Sequence, residues 1–589
     1  MSEIFEIADF PRVTREGWRS LAERVLDGKS IEALVSETDD GIRIEPLFAP
    51  SSKGPISGRP ANQPWDVLQR IDHPDPAGAR DVVQEELRNG ANGLTLVFDG
   101  APSARGFGLK SHDARSIGVA LMDTELHSVG VRLEAGGDGL YAAESLRNVV
   151  NARKLNPERL RIAFGLDPIG ALAAHGRGES FGAITNRLAG LIDSLQQDYA
   201  GPFIETDGRP YHDGGASEAQ ELGCVLATAV AYLRLLEGRL SDGSLVRAMG
   251  MTLAADADIF ITMAKFRAAR QLWRHVMKSC GLPEAPLRLH GETSWRMMTR
   301  YAAHLNMLRH VTAIFAAGVA GADSLCALPF SLAAGLPDGF ARRMARNVHS
   351  ILIEEAHLHR VADPGAGSGY VDALTQSLAE RAWSFFQAIE KQGGMVKALD
   401  SGHVQEIVRK VQQRRISEIE SCKRPIIGIS EFASPSEAPA STTVQEASVR
   451  AADLRGIKVL RDAEDFERLR AAADDFAQRN GKRPSVFIVR GTSGEDARQA
   501  HGLASVMAAG GIDSAIATTE DAASTFAAPG SQGGVILCVG EASTRDAVRA
   551  ELDAAGAVII AAEPPGPNRN VIDWIQMLHG KLGLMRDQS

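Results

Sequence analysis

Tyr211-His212 is a pair in this 589-residue chain whose residue types could do hydrogen-bonding chemistry, though alone such a pair means little. It precedes the turn Asp213-Gly214-Gly215-Ala216 and a long apolar stretch that reads as a helix. Enzymes built on parallel α/β barrels keep their reacting groups at the carboxyl ends of strands. An imidazole kept for packing or for a loop hydrogen bond fits the same two residues. Five cysteines, Cys224, Cys280, Cys326, Cys422 and Cys538, are scattered and never form C-x-x-C, which argues for a reduced compartment and against a disulfide framework or zinc site. Gly365, Gly367 and Gly369 form a glycine-spaced turn, too weak alone to mean phosphate binding.

The elements that must position these residues follow from the hydrophobic pattern. Thr95–Phe98, Leu160–Phe164 and Leu287–His290 read as strands; 217–237, 256–279 and 301–321 read as helices. Repeated strand–helix units point to a parallel α/β architecture, most simply an eight-stranded barrel. Residues 1–40 read as helical, with Trp18, Leu21, Val25 and Leu26 on one face. Glu431 to Ala452 is rich in Ser, Thr, Pro and Ala, which marks a linker. Beyond it, strands over 486–489, 514–517, 535–539 and 557–560 alternate with helices over 464–479, 495–509 and 543–555, the pattern of a doubly wound sheet. The expected units are an arm and subunit-contact segment (1–55), a barrel (56–415), a helical end and linker (416–455) and a second α/β domain (456–589). A net charge of −10 with interspersed signs argues against nucleic-acid and membrane-surface binding. No signal-like apolar segment opens the chain, so a cytoplasmic protein is expected.

The block His290-Gly291-Glu292-Thr293-Ser294, Phe340 to Asn347, Ile351 to Ala356, Val361 to Thr375 and Gly393 to Ala398 resembles methylmalonyl-CoA mutases in order and spacing. The resemblance implies an acyl-CoA-binding (β/α)8 TIM-type barrel followed by a flavodoxin-like cobalamin-binding-type domain. It implies interconversion of methylmalonyl-CoA and succinyl-CoA through radicals, with adenosylcobalamin supplying the radical. Tyr211 and His212 match the family's catalytic Tyr-His pair, whose histidine donates to the thioester carbonyl. His290 matches a substrate-contacting histidine in H-x-Q.

Three departures stand against that pattern. Glu292 replaces the glutamine, and an ionised carboxylate cannot donate a hydrogen bond. In Trp65-Asp66-Val67-Leu68-Gln69-Arg70 the family's substrate tyrosine falls on Arg70 and its arginine on Leu68. The cobalt-binding D-x-H-x-x-G is absent: counted back from Ala509-Gly510-Gly511-Ile512, the ligand position lands near Asp496, and His501 lies five residues on. Gly540-Glu541-Ala542 and Ala561 to Pro564 stand where nucleotide-cradling elements are expected. The matched losses imply a small, non-catalytic subunit of a heterodimeric mutase, binding neither cobalamin nor metal itself. Its partner would be a catalytic large subunit that holds acyl-CoA and cofactor. A self-sufficient acyl-CoA mutase with unusual cobalamin binding, or a regulatory acyl-CoA-binding protein, are the alternatives.

Overall fold

The computed structural model describes residues 13–56, 58–176, 181–438, 440–445, 455–521, 535–539, 558–559 and 570–584. Eight parallel strands form the first unit: β1 Asp66–Ile71, β2 Gly93–Val97, β3 Gly130–Glu134, β4 Arg161–Ala163, β5 Ile204–Asp207, β6 Met249–Ala255, β7 Arg288–Thr293 and β8 Ser324–Cys326. Their order is β4-β3-β2-β1-β8-β7-β6-β5, and the isolated parallel bridge Leu166 to Ile204 nearly closes the barrel between β4 and β5.

Side chains alternate across each strand. Val67, Ile71, Leu96, Val131, Leu133, Met251, Leu253, Leu289 and Leu325 belong to the core shared with the surrounding helices. The intervening positions face the axis, and many are polar or charged. Around the barrel run α2 (Glu218–Leu236), α3 (Ile259–Ser279), α4 (Leu305–Val319) and α5 (Gly339–Ser350), with α6 (Gly369–Lys391) against α2 and α3. The helix α2 starts on a capping box of Ser217 and Gln220, which satisfies its first amide donors.

The helical arm expected over 1–40 is shorter than the sequence suggested. Its described helix is α1, Arg15–Val25, capped by Thr14. Asp27 and Gly28 take positive φ (50° and 81°), which ends the helix. A 3₁₀ turn, Ile31–Leu34, and an antiparallel pair, Ser36–Glu37 with Arg43–Ile44, follow. None of α1 is buried, Leu21 and Val25 included. The 431–452 segment is also not wholly structureless: Val444–Gln445 pairs antiparallel with Gly335–Leu336.

The second unit has a parallel sheet of β9 Ser485–Arg490, β10 Asp513–Thr518, β11 Val535–Val539 and β12 Val558–Ile559, ordered β10-β9-β11-β12. Helices α7 (Glu464–Asn480), α8 (Gly494–Ala509) and α9 (Val571–Lys581) contribute Phe466, Leu503, Met507 and Ile575 to its core. The helix expected over 543–555 lies outside the described residues.

Candidate functional site

The axis of the barrel is occupied by charge. Arg209, just beyond β5, reaches Asp207 at 2.8 Å, Glu134 at 2.9 Å and Glu292 at 2.9 Å. Arg132 pairs with Glu205 at 2.7 Å, contacts Glu134, and donates to the Thr252 hydroxyl at 2.8 Å. Arg70 pairs with Asp72 at 2.8 Å and approaches Glu292 at 4.0 Å, while Arg342 of α5 closes on Asp72 at 2.6 Å. These ion pairs link β1, β3, β5 and β7 across the interior, and the Thr252 hydrogen bond adds β6. A TIM-type barrel is ordinarily filled by layers of branched apolar side chains; here ion pairs fill much of it.

Burial and pairing set the charge states. Burial penalises the Glu134 carboxylate, but Arg209 and Arg132 outweigh it and hold its pKa well below the ordinary value. Burial pushes Glu205 up against the pull of Arg132, and pushes Glu292 up against that of Arg209. Four arginines (Arg70, Arg132, Arg209, Arg342) meet five carboxylates (Asp72, Glu134, Glu205, Asp207, Glu292) in this set. His290 is buried, with Nδ1 2.9 Å from the Ser324 hydroxyl. Burial, reinforced by Arg132 and Arg209, holds its pKa well below the usual imidazole value, so it is neutral.

The Tyr-His pair lies on the short helix Arg209–Asp213 that follows β5, and both side chains are buried. His212 Nε2 is 2.8 Å from Ser294 Oγ and 3.2 Å from Asp256, and its Nδ1 is 3.3 Å from Glu221. Glu221 also binds Lys265 at 2.6 Å; burial opposes its charge, but Lys265 outweighs burial and its pKa falls to about 2. Asp256 is likewise penalised by burial, yet His212 and Arg296 hold its pKa well below the ordinary value. A Ser–His–acid order can activate a nucleophile. Here Ser294 and His212 are both buried and Asp256 shares Nε2 with Ser294, while Nδ1, 3.3 Å from Glu221, makes no hydrogen bond among the described residues.

The mouth of the barrel is covered as well. Trp295, beyond β7, meets the guanidinium groups of Arg105 and Arg461, 5.2 Å and 5.6 Å from its ring. Arg105 is tied to Asp213, and Arg461 precedes α7 and pairs with Glu467 at 2.7 Å. Tyr301 donates to Asp474 at 2.6 Å and lies under Arg470 at 4.2 Å. Asp462 accepts from Arg415 at 2.7 Å, and its amide donates to the Arg296 carbonyl at 2.9 Å. The second unit is thus anchored on the carboxyl ends of the barrel strands.

At the carboxyl end of β9, Asp496 is the third residue of α8. Its carboxylate accepts from the Ser493 hydroxyl at 2.7 Å and the Ser493 amide at 3.3 Å, forming a capping box. His501 is exposed, with Nδ1 2.7 Å from the Ala497 carbonyl of its own helix. Adenosylcobalamin takes an imidazole on its cobalt in the pattern the sequence resembles; here the ligand register holds Asp496, engaged in a capping box, and the imidazole next in sequence, His501, lies further along α8. The described residues at this register therefore do not supply the cobalt ligand of that pattern. Gly540 to Ala542 and Ala561 to Pro564 lie outside the described residues.

The structure brings together residues that sequence reasoning noticed separately, Arg70, His290 and Glu292, with residues it missed: Arg132, Glu134, Glu205, Asp207 and Arg209. The signal for the missed ones was present in Val131-Arg132-Leu133-Glu134 and Ile204-Glu205-Thr206-Asp207, charge at period two within strands. Tyr211–His212 stands apart from this network, and Asp496 is in the other unit.

Barrel, covered mouth and second parallel sheet make a two-unit α/β protein. The family model described as methylmalonyl-CoA mutase matches residues 23–481, and the chain belongs to that family. It is 36% identical to "Methylmalonyl-CoA mutase small subunit" of Streptomyces virginiae, over 96% of this chain and 95% of that one. A "Probable methylmalonyl-CoA mutase small subunit" of Mycobacterium bovis is 34% identical over 94% and 92%. The protein named "Methylmalonyl-CoA mutase small subunit" in Propionibacterium freudenreichii subsp. shermanii is 31% identical over 82% and 77%.

Proposed function

We propose that this chain is the small, non-catalytic subunit of a heterodimeric, adenosylcobalamin-dependent methylmalonyl-CoA mutase of the cytoplasm. It completes the dimer and stabilises a catalytic large subunit, which holds acyl-CoA and cofactor and interconverts methylmalonyl-CoA and succinyl-CoA. The reading is carried by the ion pairs of Arg70, Arg132 and Arg209 along the barrel axis. An acyl-CoA entering the axis would have to part buried pairs, and removing one partner of such a pair costs about 3–5 kcal/mol. The capping role of Asp496 supports the absence of a cobalt ligand. The 2-1-3-4 order of the second sheet supports a flavodoxin-like ancestry for that unit. The names of the relatives point to a large-subunit partner.

The test uses the purified chain alone and together with a mutase homologue from the same genome that keeps D-x-H-x-x-G. Alone it should neither acquire the absorbance of bound cobalamin, nor isomerise methylmalonyl-CoA, nor release heat on titration with it. Activity should accompany the complex. Turnover or cobalamin binding by the isolated chain would overturn the reading.

A further inference from the structure

Helices on the outside of a water-soluble barrel turn polar residues outward. Two neighbouring helices here do not. On α4, Leu308 is 64% exposed and Val311, one turn on, is 40% exposed. On α5, Phe340 is 46% exposed; the stripe passes through half-buried Met344 and ends at Ile351, 49% exposed. The spacings, three to four residues or two turns apart, put each set on one helix face. The helices are adjacent, and Met307 and Met344 pack on the same small cluster of Ala303, Phe330 and Ala341.

A loop extends this face. Arg309 donates to the Ile427 carbonyl at 2.9 Å, and Gly428 sits so close to Ala302 and Leu305 that a Cβ would collide with both. From the same loop Phe432 projects, 77% exposed on a backbone with φ of +55°. Among the described residues this ring has no aromatic contact and joins no buried cluster.

We propose that this face, formed by α4, α5 and the 427–432 loop, is the docking surface for the mutase large subunit. The inference rests on the function proposed above and names where that partner binds. Size supports it. The 15 residues of α4 span about 22 Å, and two packed helices present roughly 20 Å of width. The resulting patch of roughly 400 Å² could form the apolar centre of a standard interface, which takes about 800 Å² from each partner. The charged rim sets the partner's chemistry: Arg343, 5.4 Å over the Phe340 ring, calls for an acidic group, and exposed Glu354 and Glu355 beyond Ile351 call for basic ones. A second copy is disfavoured because each chain carries a net charge of −10.

The experiment co-expresses the full chain with the large-subunit homologue and compares wild type, Leu308→Glu and Phe340→Glu. Light scattering behind gel filtration gives the assembly mass, titration the affinity, and amide hydrogen exchange the footprint. Wild type should form a one-to-one complex with protection over 304–315 and 339–351. Each variant should keep its unfolding midpoint and bind at least about 30-fold more weakly, as hot-spot residues do. A wild-type complex with variants that bind normally and helices that stay unprotected overturns the surface but leaves the function standing. No association of the wild type overturns both. Self-association of the isolated chain that the variants abolish assigns the face to a second copy and overturns the proposal.

Discussion

Arg209 is the group on which the charged interior of the barrel turns, and replacing it with methionine tests whether that interior is solid. The guanidinium lies within 2.9 Å of three carboxylates, Asp207, Glu134 and Glu292. At an effective dielectric constant near 20, each close pair has a gross attraction of about 4 kcal/mol, most of it cancelled by the cost of taking the charges from water. Removing only the cation leaves the carboxylates buried, and Arg209→Met should destabilise the barrel by about 3–5 kcal/mol at pH 7.5. Glu134, no longer held down by Arg209, and Glu292, already pushed up by burial, should then rise in pKa together. Carboxyls whose folded pKa exceeds the unfolded one bind protons on folding, so the variant gains stability as pH falls. About 1.4 kcal/mol returns for each pH unit through which one such group titrates. The loss should therefore be smaller at pH 5.5 than at pH 7.5. Urea unfolding followed by tryptophan fluorescence at both pH values measures this. Glu292→Gln is the companion: Arg209 keeps Asp207 and Glu134, and the change should stay within about 1 kcal/mol of wild type. A loss below about 1 kcal/mol for Arg209→Met at pH 7.5, or an equal loss at both pH values, would mean that water already solvates Arg209 and that the axis is open.

Two other predictions concern single side chains. His349 is buried with Nδ1 accepting from the Trp65 indole N–H at 3.0 Å, and burial lowers its pKa to about 3. Its neutral form is favoured on folding, so its contribution is complete above the unfolded value near 6.5 and drains away as pH falls toward 3. In His349→Gln the fall in stability between pH 6.5 and 5 should be smaller than in wild type by about 2 kcal/mol, read from unfolding curves at each pH; an unchanged slope would show that the histidine is solvated. Asp496→His places an imidazole in the ligand register but removes the capping box with Ser493. It should cost about 1 kcal/mol and give no cobalamin absorbance in a spectral titration; appearance of a base-off, histidine-ligated spectrum would refute the assignment of Asp496 to helix capping.

Much of the architecture is local and was readable in the residues. The runs at 95–98, 160–164 and 287–290 carry enough apolar alternation to be strands, and α2, α3 and α4 carry the period and caps of helices. The order of motifs from His290 to Ala398 pointed to the mutase family, and the loss of D-x-H-x-x-G was plain because it is a statement about one short stretch. The arm's helix is shorter than its apolar pattern implies because Asp27-Gly28 is a turn signal whose positive φ angles stop it within two residues. The meaning of the charged strand positions was not readable. Val131-Arg132-Leu133-Glu134 and Ile204-Glu205-Thr206-Asp207 have the alternation of strands with one face in water. Near-closure of eight strands turns that face into the interior, where Arg132 meets Glu205 and Arg209 meets Glu292 from strands far apart in the chain. Sequence thus determined that these residues alternate and that the cobalt-ligand motif is lost; only the tertiary structure decided that their charges neutralise one another inside the barrel instead of facing solvent, because which side of a strand is inside is set by closure of the sheet and not by the strand.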